Sequence, residues 1–293
     1  MREFSKSNPI VIFIYFLSIF IITIMCYNPI ITIISLFSSL LLYVVAFGVK
    51  KLLKSLILSL PFFILIAFSN PFFVRKGATI LFSIKNFNYT LEALYYGFMV
   101  GGMLLAVIYL FNVYNYLMNE DKFNYIFGRF LPKLCLIFSM VLRYIPYYRR
   151  KYREYDDAQR VLGVYSYDGY YDKVASKVRV MNTLIANSLE DSIVTADSMK
   201  SRGYGQKNIT NFSFYKFRYF DIIFLICFIS LFVLCISLYL YFDMDFVFYP
   251  LIKVPSINLY QIIVYVSFVL IIYLAVFYEC MEVLKWKYLV SKI

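Results

Sequence analysis

The chain has 293 residues, 62% of them hydrophobic and 21% aromatic, with only 16% charged. Soluble domains sit near 45–50% apolar and about 25% charged, so this composition excludes disordered, collagen-like, coiled-coil and small disulfide-scaffold classes and places the chain in a lipid bilayer. The absence of histidine removes His-based triads, haem ligation and His zinc sites, while the net charge of +12 must be concentrated outside the hydrocarbon.

A bilayer-crossing helix needs roughly 20 mostly apolar residues. Such runs lie at about 10–27, 30–48, 55–69, 91–114, 219–241 and 257–279, which predicts six spans. The first follows Arg2 and Lys6, is long enough to be a full span and has no A-x-A-like cleavage site after it, so it is expected to be retained. The third is short and contains Pro61, which predicts a kinked or partly inserted helix. The fourth carries Gly97 and Gly101 on one face, where another backbone can approach closely. That partner is either a helix of the same bundle, the more ordinary case, or another subunit. Glu92 and Asp221 sit at span ends and no charge lies near a span centre, which disfavours a pump or an intramembrane enzyme. Cys26, Cys135, Cys227, Cys235 and Cys280 lie in or beside apolar runs without a CxxC pair and read as small core residues.

If the spans alternate, Arg2, Lys6, Lys50, Lys51, Lys54, the 119–218 block, Lys285, Lys287 and Lys292 share one side. The positive-inside rule makes that side, and both termini, cytoplasmic. The other side carries only Arg75, Lys76, Lys85 and Lys253. Residues 119–218 hold 17 of the 29 basic residues against 10 of the 17 acidic ones, a net +7. No base-stacking or groove-reading motif accompanies that charge, so no nucleic-acid partner is expected. The organisation that follows is a membrane domain of four spans (1–118), a cytoplasmic domain (119–218) and a last pair of spans (219–293).

Within the block, 133–163 reads as one long amphipathic helix, or two joined at Pro146. Its apolar stripe is Leu134, Phe138, Val141, Ile145, Tyr148 and Tyr152. It stops at Gly163, with Arg160 in its last turn. A second helix, about 171–202, carries the stripe Val174, Val178, Met181, Ile185, Leu189 and Ile193, and ends at Gly203-Tyr204-Gly205 with Arg202 immediately before. Ordinary C-capping explains either end taken alone. Two basic, glycine-capped ends in one polar domain would project two positive tips, which favours a functional role for the pair.

Residues 189–205, with Ala196, Met199, Arg202, Gly203, Tyr204 and Gly205 in register, resemble the A-x-x-M-x-x-R-G-Y-G signature of the transmembrane T component of energy-coupling factor (ECF) transporters. Asp121-Lys122-Phe123, Leu131-Pro132, the run from Ser139 to Pro146 and Ala158-Gln159-Arg160 are similar to the rest of that family's coupling region. Asn8-Pro9, Asn28-Pro29, Asn70-Pro71 and Thr90-Leu91-Glu92 match its membrane half more loosely. The resemblance implies an all-α membrane protein of about six transmembrane helices, with an inserted cytoplasmic domain of long amphipathic coupling helices. It implies a non-catalytic, cofactor-free subunit of an ABC importer in the bacterial cytoplasmic membrane. Such a subunit joins two cytoplasmic ATPases to a membrane-embedded, substrate-capturing S component for uptake of a vitamin or metal ion.

In that family each coupling helix ends in an Ala-Arg-Gly-like motif whose arginine docks into an ATPase groove. Ser201-Arg202-Gly203 meets the second motif. The first aligns with Val161-Leu162-Gly163, so Leu162 stands where the arginine is expected and Arg160 is the available substitute. The Val174-to-Ile193 stripe is expected to serve as a platform for the S component as well as for the neighbouring helix. The competing class is a membrane scaffold without a transport role. The transported substrate is a property of the S component and is not written in this chain.

Overall fold

The computed structural model describes residues 4, 7–74, 77–84, 87–128, 130–163, 169–205, 215, 217–242, 244, 246–250, 252 and 258–290, with 81–84, 87–88, 220 and 280–290 as backbone only. Arg2, Lys6, Arg75, Lys76, Lys85, Lys253 and Lys292, on which part of the expected sidedness rests, lie outside the described residues. So do the side chains of Cys280, Lys285 and Lys287. The chain forms two compact units, Met1–Phe123 with Tyr215–Ile293, and Asn124–Phe214.

The first unit contains α1 (Pro9–Met25), α2 (Pro29–Phe47), α3 (Val49–Phe73), a hairpin of β1 (Ile80–Ile84) and β2 (Phe87–Thr90), α4 (Leu91–Leu117), α8 (Tyr219–Tyr241) and α9 (Leu259–Val290). Two of these helices start the same way. Asn8 and Asn28 each accept the amide of the second helical residue, Ile10 and Ile30, at 3.0 Å. The proline between them occupies the first helical position, where its missing N–H leaves no bond unmade. Asn70-Pro71 looks alike in sequence and does something else. Pro71 lies inside α3, and Asn70 Nδ2 donates to the Ala93 carbonyl of α4 at 2.8 Å.

Among the described residues, five helices are long and apolar enough to cross a membrane: α2, α3, α4, and the 21-residue segments Asp221–Tyr241 and Leu259–Glu279. The sixth expected span, α1, has 17 residues, short of the others. It lies in the core of the bundle: Ile12, Tyr15, Phe16, Ile19 and Ile22 are all buried, and Tyr15 Oη donates to the Ile272 carbonyl of α9 at 2.9 Å. In lipid the apolar effect gives helices no reason to associate, so close packing and such internal hydrogen bonds hold the bundle together.

The third span is the main departure from expectation. It is a 25-residue helix that carries both Pro61 and Pro71, not a short one. Lys50, Lys51 and Lys54 belong to its first turns, where charge lowers hydropathy without ending a helix. Gly97 and Gly101 of α4 both face α3. A Cβ on Gly97 would sit 2.4 Å from the Ala67 carbonyl oxygen, and one on Gly101 3.0 Å from the Phe63 ring. The close approach is therefore within the bundle.

The hairpin falls between the third and fourth expected spans, where the sequence predicts no element. It pairs antiparallel, Ile84 with Phe87 and Ser83 with Asn88, with an irregularity between Ile80 and Phe82. Behind it, Glu92 at the start of α4 is buried and accepts the Thr79 amide at 3.1 Å.

Candidate functional site

Between the two apolar halves, α5 (Glu120–Phe127) leads to α6 (Pro132–Val161) and α7 (Tyr170–Ser201). Lys122, at the start of this stretch, is buried and donates to the Leu117 carbonyl at the end of α4 at 2.8 Å; burial pushes its ammonium pKa down.

α6 is one 30-residue helix through Pro146, so the expected alternative of two joined helices does not occur. α7 has 32 residues. Side chains tie the pair together in antiparallel order. Tyr144 Oη lies 3.3 Å from Thr195 Oγ1, Tyr147 Oη donates to Asp191 Oδ2 at 3.1 Å, and Asn187 Nδ2 donates to Tyr155 Oη at 2.9 Å. Gln159 Nε2 reaches Thr183 Oγ1 at 3.5 Å, the limit of a hydrogen bond. The bond to Asp191 raises the Tyr147 phenol pKa, because it favours the protonated donor.

The seam is therefore polar, and the apolar stripes lie outside it. On α7, Val174, Val178, Met181, Ile185, Leu189 and Ile193 are 45–65% exposed. On α6, Leu134, Phe138, Val141 and Ile145 are 44–59% exposed, while Tyr148 and Tyr152 are half-buried.

The two helix ends share a geometry. At the end of α7, Gly203 takes φ +79° and its N–H reaches the Lys200 carbonyl at 3.0 Å, while the Tyr204 amide reaches the Met199 carbonyl at 3.0 Å. This is a Schellman cap, with Arg202 as the last residue before the left-handed glycine. It explains the Met199-to-Tyr204 spacing, since those are the positions whose backbones close the outer loop of the cap. At the end of α6, Gly163 takes φ +64° and bonds the Arg160 carbonyl at 3.1 Å, with Leu162 in the position that Arg202 holds on α7.

The side chains at the two ends differ. Arg202 is exposed and, among the described residues, has no ion-pair partner. Val161 and Leu162 are 88% and 75% exposed, so the α6 end presents two apolar side chains. Arg160 points elsewhere: its guanidinium holds Asp156 at 2.7 Å, one helical turn back. Ser201 Oγ turns inward to the Ser198 carbonyl at 2.9 Å.

Because α6 and α7 run antiparallel, the fold gathers the site residues into two groups. Ala158, Gln159, Arg160 and Gly163 lie at one extreme of the pair. Ala196, Met199, Ser201, Arg202, Gly203, Tyr204 and Gly205 lie at the other. At 1.5 Å per residue the two capped ends are on the order of 30 Å apart along the pair. Gly97 and Gly101 belong to the other unit and take no part in this arrangement.

The hydrogen-bonding seam is what sequence reasoning missed. Its signal was present: Tyr144, Tyr147, Tyr148, Lys151 and Tyr155 recur at three- and four-residue steps beside the apolar stripe.

Residues 4–212, a stretch that includes both capped ends, match the family model of CbiQ, described as a cobalt transport protein. The chain belongs to the CbiQ family. No curated protein matches the chain. CbiQ-family membership and the five membrane-length helices make it a multi-pass membrane component of a transporter. The family match ends before α8 and α9, the last two helices of this CbiQ-family chain.

Proposed function

We propose that this chain is the transmembrane coupling subunit of an ECF-type ABC importer. It passes the ATP-driven movement of two cytoplasmic ATPases to a membrane-embedded S component that captures a vitamin or metal ion. The observation that carries the proposal is the helix pair with equivalent left-handed glycine caps at its two extremes. One subunit thereby offers two separate points of attachment, one for each ATPase.

Closure of the ATPase pair on ATP moves the two docked ends, and the long helices carry the displacement toward the membrane helices. The chain itself hydrolyses nothing, and the Walker motifs reside in its partners. Arg202 is the principal anchor. A guanidinium makes two parallel charge-assisted bonds to a carboxylate or carbonyl-lined groove and keeps its charge when partly desolvated. The exposed α7 stripe, Val174 to Ile193, supports a platform for the S component. The basic segments at the ends of the apolar helices favour a cytoplasmic-membrane orientation with both termini and the helix pair inside.

Arg202→Ala tests the assignment. It leaves the backbone cap intact, so the helix end keeps its shape. Loss of a charge-assisted hydrogen bond is expected to weaken ATPase association roughly ten- to a hundredfold and to reduce uptake with it. Unchanged ATPase co-purification and unchanged uptake would show that Arg202 is not the anchor. If ATPase co-purification survives and uptake never depends on it, the chain is a scaffold.

A further inference from the structure

A cavity of about 670 Å³ lies within the membrane unit, walled by α2, α3, α4, α9 and the residues Phe246, Phe248 and Ile252. Its size is that of an ordinary small-ligand site. The floor is buried, with Thr32, Met99 and Gln261 only 5–6% exposed. The edge is open: Ile33 and Phe37 of α2 and Phe98 of α4 are 40–68% exposed, on two helices of membrane length. The cavity therefore opens sideways toward hydrocarbon.

Its polar groups collect at one end. Asn28 Nδ2 donates to Tyr265 Oη at 3.0 Å, which sets the start of α2 level with the first turns of α9. Asn28 is engaged at both ends of its amide, since Oδ1 accepts the Ile30 amide at 3.0 Å. Gln261 and Tyr265 each have a donor left over. Gln261 Oε1 accepts the Asn258 amide at 3.3 Å, which fixes the other end as the amino group, and Nε2 has no acceptor among the described residues. Tyr265 Oη accepts from Asn28 and likewise has no acceptor there for its own hydrogen. The two residues are four apart on one helix and share a face.

Unused donors facing an apolar cavity ask for an oxygen acceptor. Among the described residues no charged side chain lines the cavity, so a carboxylate or phosphate would lie there without a counter-charge, and a neutral carbonyl fits. From Asn28 to Phe37 the wall runs roughly 14 Å along α2, close to half of a hydrocarbon core of about 30 Å. Spread over that length, the volume leaves a cross-section on the order of 50 Å², too narrow for a helix about 10 Å across. An acyl chain of one leaflet has the right length and width, and its ester carbonyl lies at the level where spans begin.

We propose that this cavity binds an acyl ester of a bilayer phospholipid. Gln261 Nε2 and Tyr265 Oη hold the ester carbonyl, and the chain lies along α2 toward Phe37. The bound lipid completes the wall between α2, α4 and α9 and does not depend on which subunits occupy the capped helix ends.

The test uses the full chain in proteoliposomes doped with a phosphatidylcholine probe that carries a photoreactive group near the end of one acyl chain. A second arm uses the matching ether-linked lipid, which lacks the carbonyl. Any bilayer lipid touches Ile33 and Phe37, whereas only an inserted chain reaches Met99. The expected result is an adduct at Met99 from the ester probe and roughly three- to tenfold less of it from the ether probe, the loss that goes with one hydrogen bond. Tyr265→Phe and Gln261→Met are each expected to lower the ester adduct at Met99 by a similar factor, with labelling of Ile33 and Phe37 unchanged.

Labelling confined to Ile33 and Phe37 overturns the proposal, because lipid then stays outside the cavity. Equal adducts at Met99 from the ester and ether probes overturn it on the native chain alone, even where the variants do not fold, since the cavity would then take hydrocarbon without reading the carbonyl. Variants that label like wild type also overturn it. So does displacement of the ester probe by a trace of long-chain quinone, which would hand the two donors to a quinone carbonyl.

Discussion

Arg160, Leu162 and Arg202 separate what a residue is from where it stands. Leu162 and Arg202 hold the same cap position on their helices, whereas Arg160 lies two residues earlier and is engaged with Asp156 at 2.7 Å. Two residues along a helix is a turn of about 200°, so Arg160 faces away from the cap direction. Arg160→Ala is accordingly expected to weaken ATPase association less than Arg202→Ala, by severalfold at most. Leu162→Arg, which puts a fork at the equivalent position, is expected to strengthen it. Pull-down of the ATPases at a series of salt concentrations reads both. A loss with Arg160→Ala as large as that with Arg202→Ala would restore Arg160 as a full substitute. The capped ends were legible in the sequence because a left-handed C′ position favours glycine so strongly. The Asp156–Arg160 pair is also a legible i,i+4 spacing, but it competes with a docking role that the same residue could have played.

At the scale of single elements, α3 and α4 show how near neighbours in sequence differ in what they tolerate. A Cβ on Gly97 meets a backbone oxygen at 2.4 Å, on Gly101 a phenylalanine ring at 3.0 Å, and on Gly102 side-chain methyls at 3.5 Å. Backbone cannot move aside as a ring can. Gly97→Ala is therefore expected to cost about 1–3 kcal/mol, Gly101→Ala less, and Gly102→Ala almost nothing. The check is the order of melting temperatures of the three variants in one detergent; a flat series would mean that α3 and α4 do not pack as described. The Gly97–Gly101 spacing announced a close approach, but only the tertiary structure names α3 as the partner. The hairpin was hidden for a different reason. In a chain this apolar, alternation between strand faces is drowned by the background, and Ser83, Asn88 and Thr90 are the few polar positions left to show it. Asn70-Pro71 shares its two letters with the caps at Asn8-Pro9 and Asn28-Pro29 but lies inside α3. The outcome was set by the Ala93 carbonyl, which gives Asn70 a partner in another helix.

Taken whole, the chain inverts the usual arrangement of a helical hairpin in its Asn124–Phe214 unit. Hydroxyls, amides and a carboxylate bond across the seam between α6 and α7, Val180 is buried, and the apolar stripe from Val174 to Ile193 faces out. That arrangement suits a unit with apolar neighbours and not one alone in water. A soluble fragment covering this unit is expected to self-associate, as read by sedimentation velocity, and to become monodisperse on addition of mild detergent. A stable monomer in plain buffer would mean that the stripes turn inward when the unit is isolated. Hydropathy made the long apolar helices easy to find because it averages over whole spans. It gave no view of the seam, where the deciding contacts are single hydrogen bonds between residues some 24 to 51 positions apart.

The placement of the capped ends has a mechanical consequence. Two forces applied in the same direction at the extremes of a rod shift it sideways, whereas opposed forces form a couple and turn it. A rod gripped at both extremes by partners that shift in opposite directions across its length is therefore turned by their relative motion, and their common drift does no more than carry it along. On the proposed reading, the antiparallel course of α6 and α7 would make this subunit respond to the difference between its two ATPases.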